Sequence, residues 1–149
     1  MQNTWTCEFT CNSLARNLTH ELNRIHLHTM KVLIVDDNEK VRLLLRDHLP
    51  ATADEVYECA DGKEALSYFK KHRPDWVLMD QEMPRMDGIS AIRQIIEAFP
   101  KAQICMVTAF DDEELRAEAF AAGASGFVAK SSLVELETIL VSESKGQTP

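Results

Sequence analysis

A chain of 149 residues with 45% hydrophobic content has room for one ordinary globular domain and a short extension. Its formal net charge of -8 leaves no clustered Lys and Arg footprint for DNA or RNA phosphates, and it disfavours anionic membrane surfaces for the same reason. No apolar run approaches the length of a bilayer span, and the start lacks both the basic residues and the continuous apolar stretch of a secretory leader.

Residues 1–29 set Glu8 and Glu21 against Arg16 and Arg24, so the excess acid lies entirely in 30–149. Leu14, Leu18, Leu22 and Ile25 form a stripe at helical spacing, with Ser13 as a candidate cap. Such a stripe can dock on the domain, pair two chains or remain a marginal helix. Cys7 and Cys11, with His20, His26 and His28, invite a zinc reading. No familiar finger spacing is met, so unliganded thiols and surface histidines are preferred. Met30, Lys31 and Val32 look like a natural domain start. Residues 1–29 are therefore set apart as an extension, helical or disordered, or as the product of an upstream start codon.

From residue 31 apolar runs alternate with helical patterns. Val32, Leu33, Ile34 and Val35 form a first strand, and Asn38 can cap the helix after it. Val41, Leu44, Leu45 and His48 are expected on one face of that helix, which ends before Pro50. Residues 55–59 alternate polar and apolar and read as an edge strand. Ala65, Leu66 and Phe69 mark a second helix, finished by His72, Arg73 and Pro74. Trp76, Val77, Leu78 and Met79 are the third strand. Gly88 opens a helix carrying Ile89, Ile92, Ile95, Ile96 and Phe99, closed by Pro100.

Ile104, Cys105, Met106 and Val107 are the fourth strand. Asp111, Asp112, Glu113 and Glu114 begin the next helix, where the dipole favours acids. Leu115, Ala119 and Ala122 make its apolar face, and Gly123 caps it. Gly126, Phe127, Val128 and Ala129 are the fifth strand. Ser132 and Glu135 form a capping box for a last helix with Leu136, Ile139 and Leu140 inward.

This alternation predicts an α/β fold: a doubly wound, five-stranded parallel sheet in the flavodoxin-like order 2-1-3-4-5, with helices on both faces. Four of the strands are continuous apolar runs, as strands covered on both faces should be. The expected domain spans 30–142, followed by a tail over 143–149. Cys59 and Cys105 lie in strand runs and read as buried free thiols, which suits a reduced, cytoplasmic protein.

Each apolar strand delivers a polar group just past its end. Asp36 and Asp37 follow the first, Asp80 the third, Thr108 the fourth and Lys130 the fifth. In the order 2-1-3-4-5 the first and third strands are neighbours at the winding reversal, where ligands of such sheets bind. Three carboxylates gathered there would repel one another unless they hold protons or recruit a cation. Mg²⁺ suits such hard oxygen donors. Taken singly, each residue has a bland reading: a solvated helix cap, a turn, a β-prone threonine, an exposed lysine. Jointly they are a poor accident.

Val35-Asp36-Asp37, the run from Met79-Asp80-Gln81-Glu82-Met83-Pro84 to Gly88, Val107-Thr108-Ala109, and Gly123 to Lys130 together resemble the receiver domain of two-component response regulators, the CheY-like superfamily. The resemblance covers about 31–141. It implies a phosphoacceptor switch and not a metabolic enzyme. Asp80 would accept a phosphoryl group from a phosphohistidine. Asp36, Asp37 and Asp80, with the backbone carbonyl of Glu82, would hold Mg²⁺. Thr108 and Lys130 would contact the phosphoryl group, and Phe127 matches the switch aromatic. The implied partners are a sensor histidine kinase or phosphotransfer protein and a downstream protein target, with a homodimer left open.

The family often has proline after the lysine. Ser131 stands here instead, as in receivers joined to NarL/LuxR-type DNA-binding domains. The short stretch after Lys130 has no room for such a domain, so a stand-alone receiver is expected. Gln81 replaces a more usual apolar residue and is read as tolerated. Two other classes compete. A Mg²⁺-dependent phosphatase with an aspartyl nucleophile wants a second aspartate where Glu82 stands. A phosphorylation-independent adaptor would not need all the site residues that are present.

Overall fold

The computed structural model describes residues 29–143. The leucine stripe and the Cys/His group of the first residues lie outside them. Strands β1 (Met30–Val35), β2 (Ala53–Cys59), β3 (Trp76–Met79), β4 (Gln103–Thr108) and β5 (Gly126–Ala129) alternate with helices α1 (Glu39–Asp47), α2 (Gly62–His72), α3 (Gly88–Ala98), α4 (Glu113–Ala122) and α5 (Val134–Glu143). The strands form one parallel sheet in the order β2-β1-β3-β4-β5. This is the doubly wound arrangement that the alternation predicted.

The period of two along each strand divides the core. Leu33, Val35, Val77, Met79, Ile104 and Met106 face α2, α3 and α4, where they meet Phe69, Ile92 and Ile95. Val32, Ile34, Trp76, Leu78, Cys105 and Val107 face the other way, onto Leu45 of α1 and Leu136 and Leu140 of α5. Both faces of the inner strands are therefore dry. Burial of this depth pushes the Cys105 thiol up to about 12, so it is an inert core side chain.

Four helices start on an Asn or Asp cap in the loop that follows a strand. Asn38, Asp61, Asp87 and Asp112 accept from the amides of Lys40, Lys63, Ser90 and Leu115 respectively. Each such cap is worth about 1 kcal/mol. The last helix differs from expectation: it begins at Val134, and Ser132 takes part through its carbonyl, which accepts from the Glu135 amide at 3.1 Å. Leu44 also departs from the predicted inward face. It is 44% exposed, because Leu45 points to the core and Leu44 is turned about 100° from it on the helix.

Candidate functional site

The sheet register builds the site. Val35 pairs with Met79, so Asp36 and Asp80 emerge side by side. The Asp80 amide donates to the Val35 carbonyl at 2.9 Å, and the Asp36 amide donates to the Cys59 carbonyl at 3.1 Å. Thr108 pairs with Ala129, and the Lys130 amide donates to the Thr108 carbonyl at 2.7 Å. The ladder thus continues one step past the formal strand ends and fixes these side chains on rigid backbone.

Asp36, Asp80 and Thr108 are buried. Asp36 Oδ1 accepts from the Asn38 amide at 2.8 Å, and its Oδ2 accepts from Lys130 Nζ at 2.7 Å. Lys130 Nζ also lies 2.9 Å from Asp80 Oδ1. Asp37 is exposed at the mouth, yet one carboxylate oxygen each from Asp36, Asp37 and Asp80 lies within 4.8 Å of the others. Three carboxylates against one ammonium leave the pocket negative. A hard divalent cation is the partner such an oxygen set fits.

The electrostatics follow from burial and pairing. Burial raises the Asp80 carboxyl above its usual range; the Lys130 hydrogen bond opposes this without cancelling it, and the Asp36 charge adds to the rise. Lys130 is pulled down by burial, but its bonds to Asp36 and Asp80 outweigh that and hold it above the ordinary lysine range. Asp80 is thus a carboxylate whose charge is costly to keep until a cation shares it.

The loop after β3 folds back on Asp80. The Gly88 amide donates to the Gln81 carbonyl at 3.0 Å, and the Ile89 amide donates to Gln81 Oε1 at 3.1 Å. A Cβ at position 88 would stand 2.1 Å from the Asp80 carbonyl oxygen, so only glycine permits this closure. Arg85, in the same loop, pairs with Asp61, the buried cap of α2. Glu82, two residues past Asp80, is exposed.

Beyond β4, Thr108 Oγ1 accepts from the Phe110 amide at 3.2 Å, and the Phe110 side chain is 49% exposed. Phe127 is buried on β5.

A family model described as the response regulator receiver domain matches residues 32–140, well over half of the chain. The chain belongs to that family. It is 40% identical over 101 residues to the chemotaxis protein CheY of Thermotoga maritima, covering 67% of this chain and 84% of that protein. It is 42% identical over 106 residues to the uncharacterized transcriptional regulatory protein YhcZ of Bacillus subtilis, covering 69% of this chain. It spans only about half of YhcZ's own length, 49%. Among solved structures, the CheX-CheY-BeF3-Mg²⁺ complex of Borrelia burgdorferi matches with a TM-score of 0.71 and 30% identity, over 76% of this chain and 88% of that one. A LuxR-family response regulator of Aurantimonas matches with a TM-score of 0.67 and 33% identity, over 76% of this chain and 86% of that one.

In this receiver domain the sequence-predicted residues fall into two groups. Asp36, Asp80 and Lys130 are in direct contact, and Asp37 completes the acidic set. Thr108 ends the neighbouring strand, Phe127 is buried on β5, and Glu82 is exposed two residues past Asp80.

Two residues escaped sequence reasoning. Arg42 Nη1 donates to the Asp36 carbonyl at 2.9 Å while its Nε donates to Glu58 Oε2 at 2.9 Å. It clamps the start of α1 to β2 and holds the acidic turn in place. Its partner Glu58 lies on another element, so no local spacing announces it. Gln81, read as merely tolerated, brackets the Asp80 loop with its carbonyl and its side chain.

Proposed function

We propose that Asp80 accepts a phosphoryl group from the phosphohistidine of a sensor histidine kinase or phosphotransfer protein. An Asp80 carboxylate oxygen forms the new bond to phosphorus as the nitrogen–phosphorus bond of the donor breaks and its imidazole keeps the electron pair. The observation that carries this reading is Lys130 Nζ bridging Asp36 and Asp80 in a buried acidic pocket. A lysine so placed can follow the charge from the carboxylate to a phosphoryl oxygen.

Asp36, Asp37, Asp80 and the backbone carbonyl of Glu82 are the residues that would hold Mg²⁺, which would supply charge neutralisation at the phosphoryl oxygens. Asp36 and Asp37 orient the pocket, and Asn38 and Arg42 hold Asp36 still. Thr108 would give its hydroxyl hydrogen bond to the phosphoryl group, and Phe127 would report that movement to the surface. The acyl phosphate adds nearly two negative charges, enough to bias a bistable loop and ring.

The product of this reaction is a changed protein surface over a receiver unit at 30–142. The reading places it in the cytoplasm, where a kinase and a downstream protein target, or a second copy of the chain, would meet it. Among the described residues no helix is long and apolar enough to cross a membrane. Incubation with acetyl phosphate and Mg²⁺ followed by intact mass tests the proposal. One phosphoryl group should appear on the native chain and none on Asp80→Asn. Equal mass gain in both proteins would overturn it.

A further inference from the structure

Phe127 is 4% exposed and pairs in register with Met106 of the neighbouring strand. Arg116, on α4, lays its guanidinium over the ring, 4.4 Å from its centroid. The same guanidinium donates to Asp111 Oδ1 at 2.7 Å. Asp111 lies in the loop between Thr108 and α4, next to Phe110, whose amide donates to the Thr108 hydroxyl. One cation therefore joins three parts: a buried aromatic, the helix above it and the loop that leaves the threonine.

Arg116 has no structural need for this posture. Its side chain is 43% exposed and could extend into water, and Asp111 is 58% exposed. A long, flexible side chain fixed at both ends has given up rotamer freedom that a solvated arginine keeps. Both contacts are of the kind arginine makes well: a planar cation stacked on a ring, and a hydrogen-bonded pair with a carboxylate. The ring and the loop cannot then move independently. A shift of the loop must either draw Arg116 off the ring or break its pair with Asp111.

We infer that Arg116 is a positioning residue of the switch, clasping Phe127 in its buried position before any phosphoryl group arrives, with Asp111 as the anchor. The inference rests on the phosphoacceptor reading above, because it concerns how that site's change reaches the ring. The clasp sets the resting ratio of buried to exposed ring. Loss of the cation–ring contact should change that ratio about two- to fivefold. Loss of the anchor alone should change it less, as expected of an exposed ion pair.

The test uses the full chain with 4-fluorophenylalanine in place of phenylalanine. The Phe127 fluorine signal is assigned by its loss in Phe127→Leu. An exposed ring shows a solvent isotope shift between H₂O and D₂O, and a buried ring does not. The native protein should show little shift without a phosphoryl mimic. Arg116→Gln should show a larger one, Asp111→Asn an intermediate one, and Arg116→Lys should recover part of the native value. Beryllofluoride with Mg²⁺ should bring Arg116→Gln back toward native. A Phe127 signal unchanged in Arg116→Gln and Asp111→Asn overturns the clasp. If Arg116→Gln fails to fold by circular dichroism, Asp111→Asn decides alone, since it alters only an exposed loop side chain. The mass gain at Asp80 separates the two readings. Its presence with an unchanged fluorine signal sinks only the clasp, and its absence in the native chain sinks the phosphoacceptor reading and the inference with it.

Discussion

Lys130 Nζ lies 2.7 Å from Asp36 Oδ2, although the two residues stand 94 apart in the sequence. The ammonium is a built-in counterion for a pocket that would otherwise hold three unbalanced carboxylates. It also sets how each group should respond when it is altered.

Asp80→Asn should raise stability at neutral pH in the absence of divalent metal. The Asp80 carboxyl is raised by burial, so the folded state holds its proton to higher pH than the unfolded chain does. Stability therefore falls as pH rises from the unfolded carboxyl pKa to the folded one, and the amide avoids that loss. A gain of about 1 kcal/mol would lift the melting temperature by about 2–4 °C. The gain should shrink as pH falls below the carboxyl range, and Mg²⁺ should stabilise the native chain more than the variant. A variant that melts lower at pH 7 would contradict the costly-charge account.

Replacing both Asp36 and Asp37 by Asn should abolish Mg²⁺ binding near Asp80. Amide NMR during a metal titration is the suitable measurement. Trp76 stands at the far end of β3, in register with Val32, and its fluorescence will not report on the pocket. Unchanged Mg²⁺-dependent shifts at Gln81 and Glu82 in the double variant would rule out these ligands.

Lys130→Ala should keep the fold but lose about 1–3 kcal/mol, the cost of leaving buried acceptors unpaired. Lys130 is held above the ordinary lysine range, so its contribution is complete below that range and disappears as pH rises through the folded value. The native and variant melting curves should therefore converge at high alkaline pH. They should also converge in strong acid, where the carboxylates are protonated. The response to beryllofluoride should be weakened, and an undiminished response would remove Lys130 from the switch.

Gly88→Ala should be among the most damaging small substitutions in the chain. The added carbon meets the Asp80 carbonyl at 2.1 Å, so the loop must open. Both stability and phosphorylation by acetyl phosphate should fall, whereas Gly126→Ala, whose nearest contact is a side-chain methyl at 3.0 Å, should be milder. Equal effects at the two sites would mean that the loop closure is dispensable.

Phe110→Asn and Phe110→Glu should speed loss of the phosphoryl group. If Asp80 carries a phosphoryl group, Phe110, two residues past Thr108, would flank the path of an attacking water, and a phenyl ring there would shield that path but could not bind a water within it. The ring is half exposed, so its removal should leave the melting temperature nearly unchanged. Equal or slower decay of the phosphorylated variants would show that Phe110 is no shield.

The architecture and the pocket were legible because both are written in strand ends. The runs at Val32 and Trp76 announce buried parallel strands, and the residue after each run is carried to the same edge by register. Exposure on α1 was less legible, because Leu44 and Leu45 are adjacent and a nine-residue helix gives little periodicity to choose between them. Arg42, Gln81 and Arg116 were not legible at all. Their roles depend on where a long side chain ends, on Glu58, on the Ile89 amide and on the Phe127 ring, and sequence spacing does not encode those distances.

The sheet order has a consequence for assembly. The carboxylates come from β1 and β3, which are neighbours, whereas Lys130 arrives on the edge strand β5. During synthesis from the amino end, the acid cluster can form while its ammonium partner is still inside the ribosome. Until β5 docks, β4 is an open edge, and the pocket repels itself. Docking closes that edge and supplies the missing charge in one event. On the phosphoacceptor reading, competence to accept a phosphoryl group would be tied to completion of the fold, because the pocket lacks its ammonium until β5 is in place.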